Sequence, residues 1–253
     1  LLVVQRISAQ FLARRIAGHS GRMLLLHCAD SDSTGNDPAA LPAPLATAAE
    51  DGRLVVSRLS AVPERKELAA ALDSSPGRVI VVGSDTALSA VMTRLMRTEN
   101  LEREVAFVTP EAGPATAVHG LPHSDEAAVL ALEGSARPAN LARDESGQAI
   151  VGRAVWRGAD RGALDGQVYA DSQHVFTGTT LFVELVPMSG EPGVRVATAE
   201  KHGLLRRRKW FEARAVQIGT PGILIERDGV LAKRPVKRAS MYKHVEPMLL
   251  VRP

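Results

Sequence analysis

Apolar positions follow two textures along the chain. Up to about position 140, short continuous apolar runs alternate with stretches in which apolar residues recur every three or four positions, which predicts buried strands alternating with amphipathic helices. Positions 5–17, QRISAQFLARRIA, set Ile7, Phe11, Leu12 and Ile16 on one helical face with arginines at its margin. That face suits packing on the domain, on a partner helix or at a membrane surface. The run 23–28 predicts a strand, the polar stretch ADSDSTGNDPAALPAPL a surface loop before a helical tract, and 53–59 a second strand. PERKELAAALDS, with Pro63 near its start, predicts a helix. Residues 78–82, RVIVV, form the next strand; Gly83, Ser84, Asp85 and Thr86 make a turn, and a helix opens at Ala87 with Leu88, Val91, Met92 and Leu95 on one side. A strand over 105–108, the Gly/Pro-containing loop TPEAGPATAVHGLP and an Ala/Leu-rich helix over 124–133 complete this part.

Beyond position 140 no long helical period remains. Strands are predicted at 151–156, 166–170, 180–186, 193–197, 211–218, 222–226 and 248–252, separated by DG, SG, PG and HG turns. The fold class that follows is α/β: a Rossmann-like N-terminal domain with a mostly parallel sheet over 1–140, and a C-terminal all-β sandwich over 141–253. The final strand, in EPMLLVRP, is free to return to the first domain.

Composition narrows the class without changing this picture. The 253 residues are 45% hydrophobic and 23% charged, which excludes a wholly disordered or fibrous chain. Aromatics are only 4%, so the core rests on Val, Leu, Ile and Ala. The single cysteine, Cys28, lies in an apolar run and reads as a buried thiol in a cytoplasmic protein. Net charge is −4 over 1–150 and +7 over 151–253, so the second part is the basic one. No apolar stretch is long enough to span a bilayer.

The strand, small-residue turn and helix around Gly83 form the arrangement that brings backbone N–H groups toward an anion. Asp85 there stands where a helix cap is expected. Asp30, Asp32 and Asp37 lack calcium-loop spacing, and Gly120 and Pro122 interrupt the helix that would align His119 with His123 as metal ligands. Arg206, Arg207, Arg208, Lys209 and Trp210, followed by Phe211, form the clearest basic-aromatic cluster. It is read either as a solvated hairpin or as a peripheral contact with an anionic membrane, which would place the protein at the inner membrane surface. No nucleic-acid-binding motif accompanies it, so no nucleic-acid partner is expected.

At GSDTALSAVMTRL, after the strand over 78–82, the chain resembles the diacylglycerol kinase, sphingosine kinase and bacterial lipid kinase catalytic-domain family, which carries a GGDGT loop there, as do the related nicotinamide dinucleotide kinases. Gly83 matches the first glycine and Asp85 the aspartate, while Ser84, Thr86 and Ala87 replace the remaining residues. VAFVTPEAGPATAVHGLP falls where the family has a PLGTGNDFAR-type loop ending in GLP; Pro110 and Gly120-Leu121-Pro122 remain, and residues 111–116 read EAGPAT. Arg137-Pro138 and the terminal apolar strand also match, and ILIERDGVLAKRP resembles the segment leading into DGE, with Val230 in place of the acid. The resemblance covers about 22–253. It implies transfer of the ATP terminal phosphate to a lipid hydroxyl with Mg2+. The implied catalytic residues are Asp85 and Asp228, with Asp228 also the metal ligand and Glu226 and Asp165 weaker substitutes. Nucleotide contacts would come from Gly83, Ser84, Asp85, Thr86, Ala87, Gly113 and Thr34. The altered loops leave open a catalytically inactive member that binds a lipid, nucleotide or protein, and an NAD kinase relative. A homodimer is compatible with either.

Overall fold

The computed structural model describes residues 22–29, 41–199 and 209–253. The expected helix over 5–17, Thr34, and Arg206, Arg207 and Arg208 lie outside these residues. Among the described residues, five helices and seventeen strands make two sheets.

The first sheet is built from β1 (Met23–Cys28), β2 (Leu54–Leu59), β3 (Val79–Val82), β4 (Glu104–Val108), β5 (Ala136–Ala139) and β17 (Met248–Val251), in the order β2-β1-β3-β4-β17-β5. All pairings are parallel except that of β17 with β5. Alternate residues of the central strands feed two cores. Leu24, Leu26, Val79, Val81, Val105 and Phe107 face one side, and Leu25, Ile80, Val82, Ala106 and Val108 the other. Strands buried on both faces read as continuous apolar runs, which is why β1, β3 and β4 are plain in the sequence.

Helices α1 (Ala43–Glu50) and α5 (Ser124–Glu133) cover one face, α2 (Arg65–Asp73) and α3 (Asp85–Arg97) the other. α3 has the strongest local signals. Ser84 is its N-cap, Asp85 stands in its first turn, and Arg94 and Arg97 close its last. Those charges oppose the helix dipole at each end. α4 (Pro114–His119) occupies the stretch expected as a loop. Pro114 sits at N1, where a missing N–H costs nothing and the fixed φ starts a helix.

The second sheet holds β6 (Ala142–Asp144), β7 (Ala149–Ile150), β8 (Ala154–Gly158), β9 (Leu164–Ala170), β10 (Gln173–Thr180), β11 (Phe182–Pro187), β12 (Val194–Ala199), β13 (Phe211–Ala213), β14 (Ala215–Arg227), β15 (Val230–Leu231) and β16 (Val236–Lys243). Its layers are not separate sheets: β14 belongs to both. The first half of β14 pairs with β9 and β16 and its second half with β8, across an irregularity between Gly219 and Ile223. Folding the sheet over at that point encloses one core around Trp156, with Leu164, Val168, Leu185, Val196, Ile218, Ile225 and Met241. The two sheets also share a core, because Leu141, Ala149 and Val151 pack with residues of α3, β3 and β17. Ser89 Oγ donates to the Ala149 carbonyl at 2.7 Å, and the Ala149 N–H donates to Thr93 Oγ1 at 2.9 Å, fixing α3 against β7.

Candidate functional site

The chain runs from β1 outward to β2 and then crosses to β3 on the other side, so the sheet order reverses between β1 and β3. Open α/β sheets take ligands outside the carboxyl ends of the strands at such a point. The ends here are Cys28 and Val82, and Gly83 follows directly. A Cβ at Gly83 would lie 2.9 Å from the Cys28 carbonyl oxygen and 3.2 Å from the Ala87 Cβ, so the turn needs a glycine to seat against β1. The Gly83 N–H donates to the Val108 carbonyl at 3.0 Å. Ser84 Oγ accepts the Ala87 N–H at 3.4 Å, and Ala87 is buried. Ser84 therefore serves α3 as a cap.

Asp85 joins this turn to the next loop. Its Oδ2 accepts the Ala115 N–H, in the first turn of α4, at 3.0 Å. Gly113 lies against the same carboxyl, with its Cβ position 3.6 Å from both oxygens, and its N–H donates to Thr116 Oγ1 at 2.8 Å. Burial pushes the Asp85 carboxyl above its ordinary range, opposed by the Ala115 amide and by the charge of Arg153. Arg153 Nη1 also stands 3.9 Å from Glu184 Oε1.

Asp228 is 5% exposed, at the β14–β15 turn, with φ +45°. Its carboxylate is tightly engaged: Oδ2 accepts the Val151 N–H at 3.0 Å, and Oδ1 accepts the N–H groups of Gly152 at 2.8 Å and Arg153 at 2.9 Å. Its own N–H donates to the Arg153 carbonyl at 2.9 Å, and its carbonyl accepts Thr86 Oγ1 at 2.5 Å. Burial pushes this carboxyl up to about 6, outweighing the three amide donors, and the Asp85 charge adds to the rise. Asp85 and Asp228 are thus close enough for their charges to interact, but they stand in different settings.

The residues meet a nucleotide and a metal unequally. The N-terminus of α3 leaves N–H groups without intrahelical partners at the switch point, and Arg153 supplies a cation beside Asp85, a setting that fits a phosphate. Asp228 does not fit the metal-ligand role, since both its oxygens are occupied by backbone donors in a buried position. Among the described residues, no group of three or more His, Cys, Asp or Glu side chains is placed to hold a metal ion. Cys28 is a buried thiol pushed up to about 12 by burial, far from nucleophilic use.

Three participants escaped sequence reasoning: Gly152, Arg153 and Ala115. None carries a local motif, because their roles arise where β7–β8 and α4 converge on Asp85. Gly152 is the most constrained. A Cβ there would meet Asp85 Oδ2 and the Pro114 Cβ at 2.8 Å and the Ala115 nitrogen at 2.9 Å. Gly152→Ala is therefore expected to destabilise the chain by about 1–3 kcal/mol, as overpacking does, and to break the Asp85–Ala115 bond. Denaturant melts together with amide exchange at Ala115 measure both effects.

No protein-family model matches the sequence, and no curated protein sequence matches it. Among solved structures, the chain is similar to a diacylglycerol kinase from Bacillus anthracis str. Sterne, with TM-score 0.61 and 13% identity over 92% of this chain and 97% of that one. It is similar to an NAD kinase from Archaeoglobus fulgidus in complex with ATP, with TM-score 0.58 and 10% identity over 91% and 93%. A yeast NADH kinase complexed with NADH gives TM-score 0.55 and 8% identity over 92% and 83%. At these identities the likeness establishes the fold, a mixed α/β architecture with parallel and antiparallel sheets. No helix among the described residues is long and apolar enough to cross a membrane.

Proposed function

We propose that the chain is a kinase that takes a nucleotide at the crevice between β1 and β3 and passes its terminal phosphate to the hydroxyl of a lipid. The carrying observation is the position of Asp85: a carboxyl raised by burial, at the N-terminus of α3, beside α4 and facing the charge of Arg153. A raised carboxyl in a cleft is the kind of group that accepts a hydroxyl proton during phosphoryl transfer. Arg153 and the first turn of α3 balance charge on the transferring phosphate. ATP would supply the phosphoryl group, and Mg2+ carried by the nucleotide would offset part of its charge. The fold shared with a kinase solved with ATP supports the nucleotide part of this reading, and the order of sequence motifs supports the lipid part.

A second reading, nucleotide binding without transfer, is favoured by one observation. Asp228 holds backbone amides, and Val230 stands where the sequence resemblance expects an acid. Calorimetric titration with ATP and Mg2+ tests the shared premise. Saturable binding by the wild type, weakened at least tenfold in Asp85→Ala, is expected. Radiolabelled ATP offered with diacylglycerol or with NAD then separates lipid from dinucleotide acceptors, and binding without product in either case leaves the second reading.

A further inference from the structure

At the end of α3 opposite the crevice, two arginines from distant parts of the chain converge on one glycine. A Cβ at Gly147 would lie 3.8 Å from Arg97 Nε and 3.8 Å from Arg143 Nη1. Arg97, the exposed last residue of α3, donates from Nε to the Gly147 carbonyl and from Nη2 to the Ser146 carbonyl, both at 3.0 Å. That clamp leaves Nη1 and one Nη2 proton unspent. Arg143, on β6, is half-buried, and among the described residues none of its guanidinium N–H groups meets an acceptor and no carboxylate pairs with it; its Nε is fully buried without a partner. What holds it is Tyr242, opposite it on β16, whose ring centre lies 4.9 Å from its Cζ. The acids of this corner are engaged elsewhere or stand outside it. Asp144 takes Arg227 Nε, Ser146 Oγ and the Gln148 N–H, and Glu145 takes the N–H and hydroxyl of Ser240. Glu99 and Glu246 are exposed, and Glu246 opposes the charge that Arg143 exerts on His244.

We propose that Arg97 and Arg143 form a binding site for a phosphate dianion, free or as the phosphoryl group of a small monoester. Charge decides the ligand class: two guanidinium groups without a carboxylate match a dianion, whereas a carboxylate would balance only one of them. Geometry agrees. A phosphate taking a charge-assisted bond of about 2.8 Å on each side spans about 8 Å between donors, and two nitrogens each 3.8 Å from one point fall within that span. Both forks are held before any ligand arrives, Arg97 by two carbonyls and Arg143 by an aromatic face, so little side-chain freedom is lost on binding. The carbonyls ending α3 bring only about half a negative charge, which two full positive charges outweigh. Arg97 lies twelve residues beyond Asp85, about 18 Å along the helix, so this ligand is not the one in the crevice. It bridges α3 to the second sheet, and the site stands whether or not phosphate is transferred.

The test is calorimetric titration of the full chain with inorganic phosphate and with ribose 5-phosphate, at constant ionic strength in sodium chloride. Wild type and Arg153→Gln, which disables the crevice, are both expected to show a saturable site. Arg143→Gln should weaken that site about tenfold or more, since a hydrogen bond to a charged group is worth about 1.5–3 kcal/mol. Arg143→Lys should weaken it too, because it keeps the charge but loses the fork and its aromatic support. If Arg143→Gln does not fold, Arg97→Gln, at an exposed position, carries the same expectation. Whichever of the two probes binds more tightly identifies the source of the phosphoryl group. The wild-type melting midpoint should also rise by about 5 °C with ligand a hundredfold above its dissociation constant, and the rise should vanish in the Arg143 variants. Phosphate binding that survives both Arg143→Gln and Arg97→Gln overturns the proposal. So does loss confined to Arg153→Gln, absence of a saturable site in wild type, or a melting rise that sodium chloride reproduces at the same ionic strength.

Discussion

Asp228→Ala is expected to lower the melting midpoint by roughly 10 °C or more. Removing the carboxylate strands the N–H groups of Val151, Gly152 and Arg153, two of these bonds being fully buried. At about 1–3 kcal/mol for each unsatisfied donor, the loss is about 3–9 kcal/mol, a large share of a typical folding free energy. The positive φ at this position adds strain for alanine that aspartate tolerates better. A pH signature separates this role from simple packing. The folded carboxyl is raised to about 6, above the value near 3.8 of an unperturbed one, so the folded chain binds the proton first. Its contribution is full below about pH 4 and is lost as pH rises through about 6, on the order of 3 kcal/mol in all. Urea melts between these limits should show wild-type stability falling with pH, and the alanine variant should lack that component.

How far the sequence could anticipate this depends on whether a residue acts locally. β3, the Gly83 turn and α3 were legible because burial on both faces, a cap and a helical period all lie within twenty consecutive positions. β10 and β16 were not. Among the described residues QHVFTGTT pairs with β9 alone, and VKRASMYK is exposed over its first three residues, so neither shows clean alternation. The two acids were legible as residue types, each in a Gly-containing turn. What could not be read was their division of labour, because the amides that occupy Asp228 come from the β7–β8 connection, which has no motif of its own. The Gly83 turn shows the same limit: its glycine is demanded by the Cys28 carbonyl on another strand, whatever it does for a ligand.

That division of labour makes Asp85→Asn the sharper functional variant. The asparagine oxygen can still accept the Ala115 N–H, so the α3–α4 junction and nucleotide affinity should hold within a few-fold, whereas Asp85→Ala removes the bond and weakens both. If Asp85 takes the hydroxyl proton, Asp85→Asn should lower phosphoryl transfer by about 10²–10⁴ with little change in ATP affinity, since an amide cannot act as the base. The direction of the pH dependence follows from its environment. Only the ionised carboxyl accepts a proton, and burial raises Asp85, so the wild-type rate should climb with pH across a limb displaced above the usual carboxylate range. Arg153→Gln removes the charge that opposes that rise, and the limb should move further toward neutral pH. Single-turnover transfer measured across pH for wild type, Asp85→Asn and Arg153→Gln checks all three expectations. A wild-type rate that Asp85→Asn leaves unchanged would assign the proton to another group, since Asp228, with its oxygens held by three amides, is poorly placed to take it.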